Sequence, residues 1–242
     1  MSEWWQGFLD DFTLNFIDGN RWKFLVSGLG VTLEVTFLSL LVGIFMGTIV
    51  AIIRATYDKQ YQEMRPGFGK SLFGIINGIA KVYLTVIRGT PVVVQLLIMY
   101  YIVFASSNNK VLIAVLAFGI NSGAYVGEIV RAGIMSIDEG QTEAGRSLGF
   151  NFVQTMWYIV IPQALKNVLP ALANEFITLL KETSVSGYVA LQDLTKAGDI
   201  IRGRTYSAFM PLIAVALIYL VMVMFFSMLV GKLEGRLRNS DH

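Results

Sequence analysis

Few side chains in this sequence have the types and spacing for chemistry, and those few point to recognition rather than to bond breaking. The chain of 242 residues has no cysteine and one histidine, His242, at its last position. Disulfides, thiolate or imidazole metal centres and any triad built on histidine are therefore excluded. The ionisable residues that matter sit inside apolar sequence: Asn174, Glu175 and Thr178, followed by Lys181 and Glu182. On a helix Asn174, Thr178 and Lys181 recur at i, i+4 and i+7, and Glu175, Thr178 and Glu182 form an adjoining stripe. A charge at the bilayer centre costs about 2.5–3.5 kcal/mol on insertion scales, so it faces a partner or a water-filled path. Two readings stay open here: a wall of a ligand path, or a polar clamp between helices. Gln95 and Tyr125 are the next candidates for such a path, while Arg88 reads better as a side chain that snorkels to headgroups.

The elements that must hold these residues are membrane helices. Hydrophobic residues make up 55% of the chain and charged ones only 15%, against about 25% charged in a soluble domain. Five stretches approach the roughly 20 apolar residues a spanning helix needs: Leu29–Ile53, Val82–Ala105, Val111–Met135, Trp157–Glu182 and Ala208–Val230. Ser71–Ala80, apolar but short and glycine-rich, reads as an interfacial helix on the cytoplasmic face. The fold class is therefore all-α and integral to the membrane, with five spans and the termini on opposite faces. Outside the spans, Arg54, Lys59, Arg65, Lys70, Arg131, Arg146, Lys232, Arg236 and Arg238 fall on one side. Arg21, Lys23, Lys110, Lys196, Arg202 and Arg204 fall on the other. The positive-inside rule then puts the N-terminus outside and the C-terminus in the cytoplasm. A net charge of +2 gives no footprint for nucleic acid. The segment before the first span carries Glu3, Asp10, Asp11 and Asp18, the opposite of a basic signal peptide.

One segment is polar at its start amid this apolar sequence. Glu143 to Pro162 reads EAGRSLGFNFVQTMWYIVIP, with Gly149 six residues after Glu143 and a closing Ile159-x-Ile161-Pro162. This spacing resembles the cytoplasmic EAA loop of permease subunits of ATP-binding-cassette importers. The resemblance implies a coupling loop over 138–162 in which Gln141, Glu143, Ala144, Arg146 and Gly149 dock a separate ATPase. Gly149 fits a turn that a side chain would hinder. Gly145 stands where the family usually has alanine, and glycine costs about 1 kcal/mol in a helix relative to alanine.

Further segments are similar to permeases for polar amino acids, the histidine/glutamine/arginine permease family. They are Arg88-Gly89-Thr90-Pro91 with Gln95, Ala124-Tyr125 with Glu128-Ile129, Arg131-Ala132-Gly133-Ile134, Gly140-Gln141, Asn174-Glu175-Phe176 and Leu180-Lys181-Glu182-Thr183-Ser184. The resemblance runs from about Gly28 to Arg236. It implies one permease domain over 1–242, with a membrane core at about 24–235, in a bacterial cytoplasmic (inner) membrane crossed several times. Its implied partners are a second permease, two cassette ATPases, an extracytoplasmic amino-acid-binding protein and membrane lipid. No cofactor is expected, and ATP hydrolysis is placed in the partner subunits. Within that reading Glu175 meets a substrate ammonium and Asn174 offers hydrogen bonds. The alternative is a channel or ion-coupled transporter working without an ATPase. Two glycine patterns have plainer readings. Gly67-Phe68-Gly69-Lys70-Ser71 is the tail of a phosphate-binding loop, but Met64 stands where that motif needs its first glycine. Gly43-x-x-x-Gly47 is a helix-packing face.

Overall fold

The computed structural model describes residues 2–238, so His242 lies outside the described residues. Every regular element among them is helical. In chain order these are α1 (Ser2–Phe12), α2 (Trp22–Gln60), α3 (Phe68–Gly89), α4 (Val92–Ile98), α5 (Lys110–Met135), α6 (Glu139–Ser147), α7 (Phe152–Thr155), α8 (Ile161–Glu182), α9 (Leu194–Thr205) and α10 (Phe209–Arg238). Helices α2, α3, α5 and α10 are long and apolar enough to cross a membrane. Even α3, at 22 residues, reaches about 33 Å, enough for a hydrocarbon core of about 30 Å.

Three expected spans lie in α2, α5 and α10 to within a residue, but the expected span Val82–Ala105 is not one helix. Nor is Ser71–Ala80 a separate interfacial piece: α3 runs unbroken from Phe68 to Gly89. Lys81 ends an apolar run on a hydropathy scale, yet lysine is a good helix former and does not end the helix. The break falls instead at Thr90, which takes φ −121° and ψ 144°, the extended region that a following proline imposes. Thr90 Oγ1 donates to Val86 O at 2.9 Å, and α4 begins directly after Pro91, as suits a proline at a helix entry. The expected span Trp157–Glu182 is α8 preceded by a π turn at Met156–Val160. There the Ile161 N–H reaches back to Met156 O, and Pro162 has no N–H for the turn that follows.

The chain divides into two compact units, and the division runs through α2, α5, α8 and α10. Among the described residues the first holds 2–39, 92–118 and 177–228. Its core joins Phe16, Leu25, Leu194, Ala197, Ile201 and Val215. Asn15 is fully buried between α1 and α9; it donates to Asp11 O at 2.8 Å and accepts from Thr205 Oγ1 at 2.8 Å. Gly28 lies so close to α9 that an added Cβ would sit 2.7 Å from Asp193 O. Thr32 Oγ1 accepts the Leu194 N–H at 3.0 Å. Trp4, Trp5, Phe8, Leu9 and Phe12 form one exposed apolar face of α1.

Among the described residues the second unit holds 40–91, 119–176 and 229–238. Here α2 and α5 meet through small residues, as the Gly43-x-x-x-Gly47 spacing predicts. A Cβ on Gly43 would lie 2.8 Å from Ser122 Oγ, and one on Gly47 would lie 2.7 Å from the Gly127 backbone nitrogen. Tyr83 Oη of α3 donates to Ile120 O at 2.6 Å and seals the same side of α5. Ala55, Ile134, Val160 and Ala164 then form an apolar cluster toward the α5–α6 connection.

Candidate docking segment and substrate path

The loop after α5 folds into a small unit with its own caps. Asp138 Oδ1 accepts the Gly140 N–H at 2.7 Å and starts α6, the usual work of an N-cap aspartate. At the other end the Gly149 N–H reaches Arg146 O at 2.9 Å and the Phe150 N–H reaches Gly145 O at 3.1 Å. This turn holds Gly149 at φ +85°, a left-handed value that glycine alone adopts without penalty. A capping box at Asn151 and Gln154, with both bonds at 2.9 Å, then starts α7. Sequence spacing pointed to the turn; the caps on both sides explain why it is well defined.

Gly145 packs α6 onto the segment that follows it. It is buried, and an added Cβ would lie 2.8 Å from Thr155 Cγ2 and 2.9 Å from both Thr155 Oγ1 and Ile159 Cδ1. The glycine in place of the usual alanine is thus a close-packing position rather than a loosened first turn. Alanine gains about 1 kcal/mol of helix propensity, but overpacking costs about 1–3 kcal/mol, and β-branched Thr155 cannot turn both its branches away. Gly145→Ala is therefore expected to lower the melting temperature of the purified protein. Adding Thr155→Ala should restore it; a Gly145→Ala protein at least as stable as wild type would refute this packing role.

The surface left on this unit is mixed. Gln141, Glu143, Ala144 and Arg146 are exposed, as are Leu148 at 74% and Val153 at 71%. Trp157 and Tyr158 are also exposed. Leu148 and Val153 were missed in the sequence reading, although apolar residues in a polar loop are a visible signal. Arg146 Nη2 pairs with Glu63 Oε2 at 3.1 Å, the two side chains 48% and 60% exposed. Such a pair is worth at most about 1 kcal/mol, so the caps, Gly145 and Gly149 hold the shape, and a partner can take Arg146 at little cost. Behind it a groove of about 280 Å³ is lined by Asp58, Glu63, Glu143, Arg146 and Phe152, among others.

The five path candidates divide between the two units, with Asn174, Glu175 and Tyr125 in the second and Gln95 and Thr178 in the first. Glu175 is buried at 8% exposure, and its Oε1 accepts from Ser122 Oγ of α5 at 2.8 Å. Asn174 and Thr178 are exposed on α8, Asn174 donating to Pro170 O at 3.1 Å. Gln95 is half-buried on α4. Tyr125 is half-buried with the Arg88 guanidinium 5.5 Å from its ring centre, so Arg88 turns toward α5. Ser122 carries the interhelical bond that the sequence reading left without a partner.

Residues 67–239 match the model of the binding-protein-dependent transport system inner membrane component family. The chain belongs to this family. The permease is 34% identical over 221 residues to the arginine transport system permease protein ArtQ of Bacillus subtilis (strain 168), covering 90% of this chain and 94% of that one. It is 33% identical over 219 residues to the glutamine transport system permease protein GlnP of Escherichia coli (strain K12), covering 88% and 93%. A crystal structure of an amino acid ABC transporter with histidines matches at 41% identity and TM-score 0.79, over 91% of this chain and 98% of that one. Inward-facing structures of the MetNI methionine ABC transporter, at 20% identity and TM-score 0.73, share the fold over 88% of this chain and 95% of theirs. The permease is an integral inner-membrane protein that works with separate ATPase subunits and a substrate-binding protein. It is not itself an enzyme.

Proposed function

We propose that the permease imports a polar amino acid by alternating access across a bacterial cytoplasmic membrane. Its five spans are α2, α3, α5, α8 and α10, with the N-terminus outside and the C-terminus inside. It pairs with a second permease and docks two cassette ATPases through the coupling segment 138–162, using Gln141, Glu143, Ala144, Arg146 and Gly149. The observation that carries this reading is the self-capped α6–Gly149–α7 unit, with Leu148 and Val153 uncovered beside exposed charge. A channel or ion-coupled transporter has no use for such a surface. Asn174, Glu175, Thr178, Gln95 and Tyr125 line the substrate path in this proposal. Exposed Asn174 and Thr178 on a membrane helix support it, since polar groups there face water or a partner.

The complex purified with its ATPase and placed in lipid nanodiscs tests the reading. Its ATP hydrolysis, measured with binding protein and each of the twenty amino acids in turn, is expected to rise with one or a few polar ones. No response to any of them, with the ATPase bound, overturns the amino-acid assignment. Orientation is checked separately, because any introduced cysteine is unique in this chain. In intact cells a cysteine replacing Tyr206, 95% exposed between α9 and α10, should react with an impermeant thiol reagent. One replacing Gln141 should be shielded, and the reverse pattern inverts the topology.

A further inference from the structure

Helix α1 is too short to cross a membrane and too apolar on one side to be left in water. Its 11 residues, SEWWQGFLDDF, extend about 16 Å, roughly half of a hydrocarbon core. Trp4, Trp5, Phe8, Leu9 and Phe12 recur at i, i+1, i+4, i+5 and i+8, so they share one face. All five are exposed, from 37% at Phe8 to 67% at Trp4. Trp4 stacks on Phe8 with ring centres 6.0 Å apart, and Phe12 continues the row to Phe16 at 5.2 Å. Gln6 and Asp10 lie on the opposite face and are exposed as well. No Lys or Arg occurs in the helix.

The helix is held where α2 enters its apolar stretch. Residues 13–21 form a folded elbow. Asn15 is tied to Asp11 O and to Thr205 of α9, and Arg21 Nη1 donates to Leu14 O. Phe16 is buried in the core with Leu25 and Leu194. Gly19 and Asn20, at φ +58° and +53°, turn the chain into α2. That helix opens on Trp22 and Lys23, the ammonium 5.9 Å from the indole centre. Between Lys23 and Arg54 it carries one charged residue, Glu34. Tryptophan and lysine ahead of a long apolar run are the composition of a membrane–water boundary. Exposed apolar side chains continue past α1 at Ile17, Trp22 and Val26, that is, through the elbow and into the first turns of a spanning helix.

We propose that α1 lies in the membrane–water interface with its aromatic face seated among zwitterionic lipids. The apolar row that starts on α1 runs into the surface of a spanning helix, which meets lipid. A protein cover on α1 would have to straddle that boundary. Tryptophan suits the site because its ring is apolar while its N–H stays within reach of headgroups. Charge selects the lipid. Interfacial helices that bind anionic membranes carry Lys and Arg on the polar face, whereas α1 has Glu3, Asp10 and Asp11 and no cation. Burial of the aromatic face, not attraction to anionic headgroups, therefore holds it. Seated there and tied to α9 through Asn15, α1 fixes the height of this end of α2 in the bilayer. The proposal is independent of which solute the permease carries.

The test uses the permease with cysteine-free ATPase subunits in phosphatidylcholine nanodiscs. A nitroxide is attached at Phe8→Cys or at Asp10→Cys, the permease having no cysteine of its own. Its collisions with oxygen, which concentrates in lipid, are compared with its collisions with a water-soluble nickel chelate. The oxygen-to-nickel ratio should be about tenfold higher at position 8 than at position 10, as for a face about 5–10 Å into the headgroup–acyl boundary. Nickel access at both positions would leave the helix in water. Low access of both reagents at position 8 would show a covering protein, a second copy or another subunit. Either result overturns the proposal. Trp4→Gln/Trp5→Gln should lower the ratio at position 8 several-fold; an unmoved ratio would mean that the elbow alone holds the helix and would remove the aromatic face from the account. Exchanging half of the lipid for phosphatidylglycerol should not raise the ratio, and a rise would overturn the zwitterionic assignment.

Discussion

Gly149→Val is expected to leave the permease in the membrane and to remove most of the ATPase that it retains. At φ +85° a non-glycine residue costs roughly 1–2 kcal/mol, and a β-branched one is worse placed still. The strain relaxes most readily by opening the turn, because an added Cβ meets nothing within 4 Å. Once open, the turn no longer fixes Leu148 and Arg146 relative to Val153, and the proposed docking surface loses its shape. Co-purified ATPase, measured at equal permease, should fall about tenfold, the loss that roughly 1.4 kcal/mol gives. Gly149→Asn, which tolerates left-handed backbone, should lie in between. Wild-type retention by the valine variant would remove the turn from the docking account.

The second large effect concerns assembly of the helices themselves. A Cβ on Gly47 would sit 2.6 Å from Val126 Cγ1 and 2.7 Å from the Gly127 nitrogen. A side chain can rotate away from such a contact; a backbone nitrogen in a helix cannot. Gly47→Val should therefore exceed the usual overpacking penalty of about 1–3 kcal/mol. The measurements are membrane yield and melting temperature in detergent, both expected to fall sharply. Gly30→Ala is the control, because nothing lies within 4 Å of a Cβ there. Equal yield and stability for Gly47→Val would mean that α2 and α5 are not in backbone contact.

Both effects were partly legible in the sequence, for different reasons. Spacing reports what the backbone must do, so Gly149 in a fixed pattern and the Gly43–Gly47 pair could be read directly. Hydropathy reports only how apolar a window is, so Val82–Ala105 reads as a span. The window bridges Pro91, where the backbone ends a helix, and the reading stopped at Lys81, where it does not. Gly145 shows a different limit. Propensity alone makes it a weak point, and only the position of Thr155 turns it into a packing requirement. Glu175 was found as a polar residue in an apolar helix, but its bond to Ser122, 53 residues away in the chain, follows no local pattern.

The glycine contact between α2 and α5 also has a mechanical side. Helix α5 ends at Met135, and α6, the proposed docking helix, begins at Glu139, so a push on α6 is delivered almost directly to the end of α5. Most helix pairs are separated by a layer of side chains that can shear and change rotamer under load. At Gly43, Gly47, Gly123 and Gly127 that layer is largely missing, and close-packed atoms are nearly incompressible. Within this unit α2 and α5 therefore behave as one stiff beam, and a displacement at the docking end is carried along both helices with little lost to give.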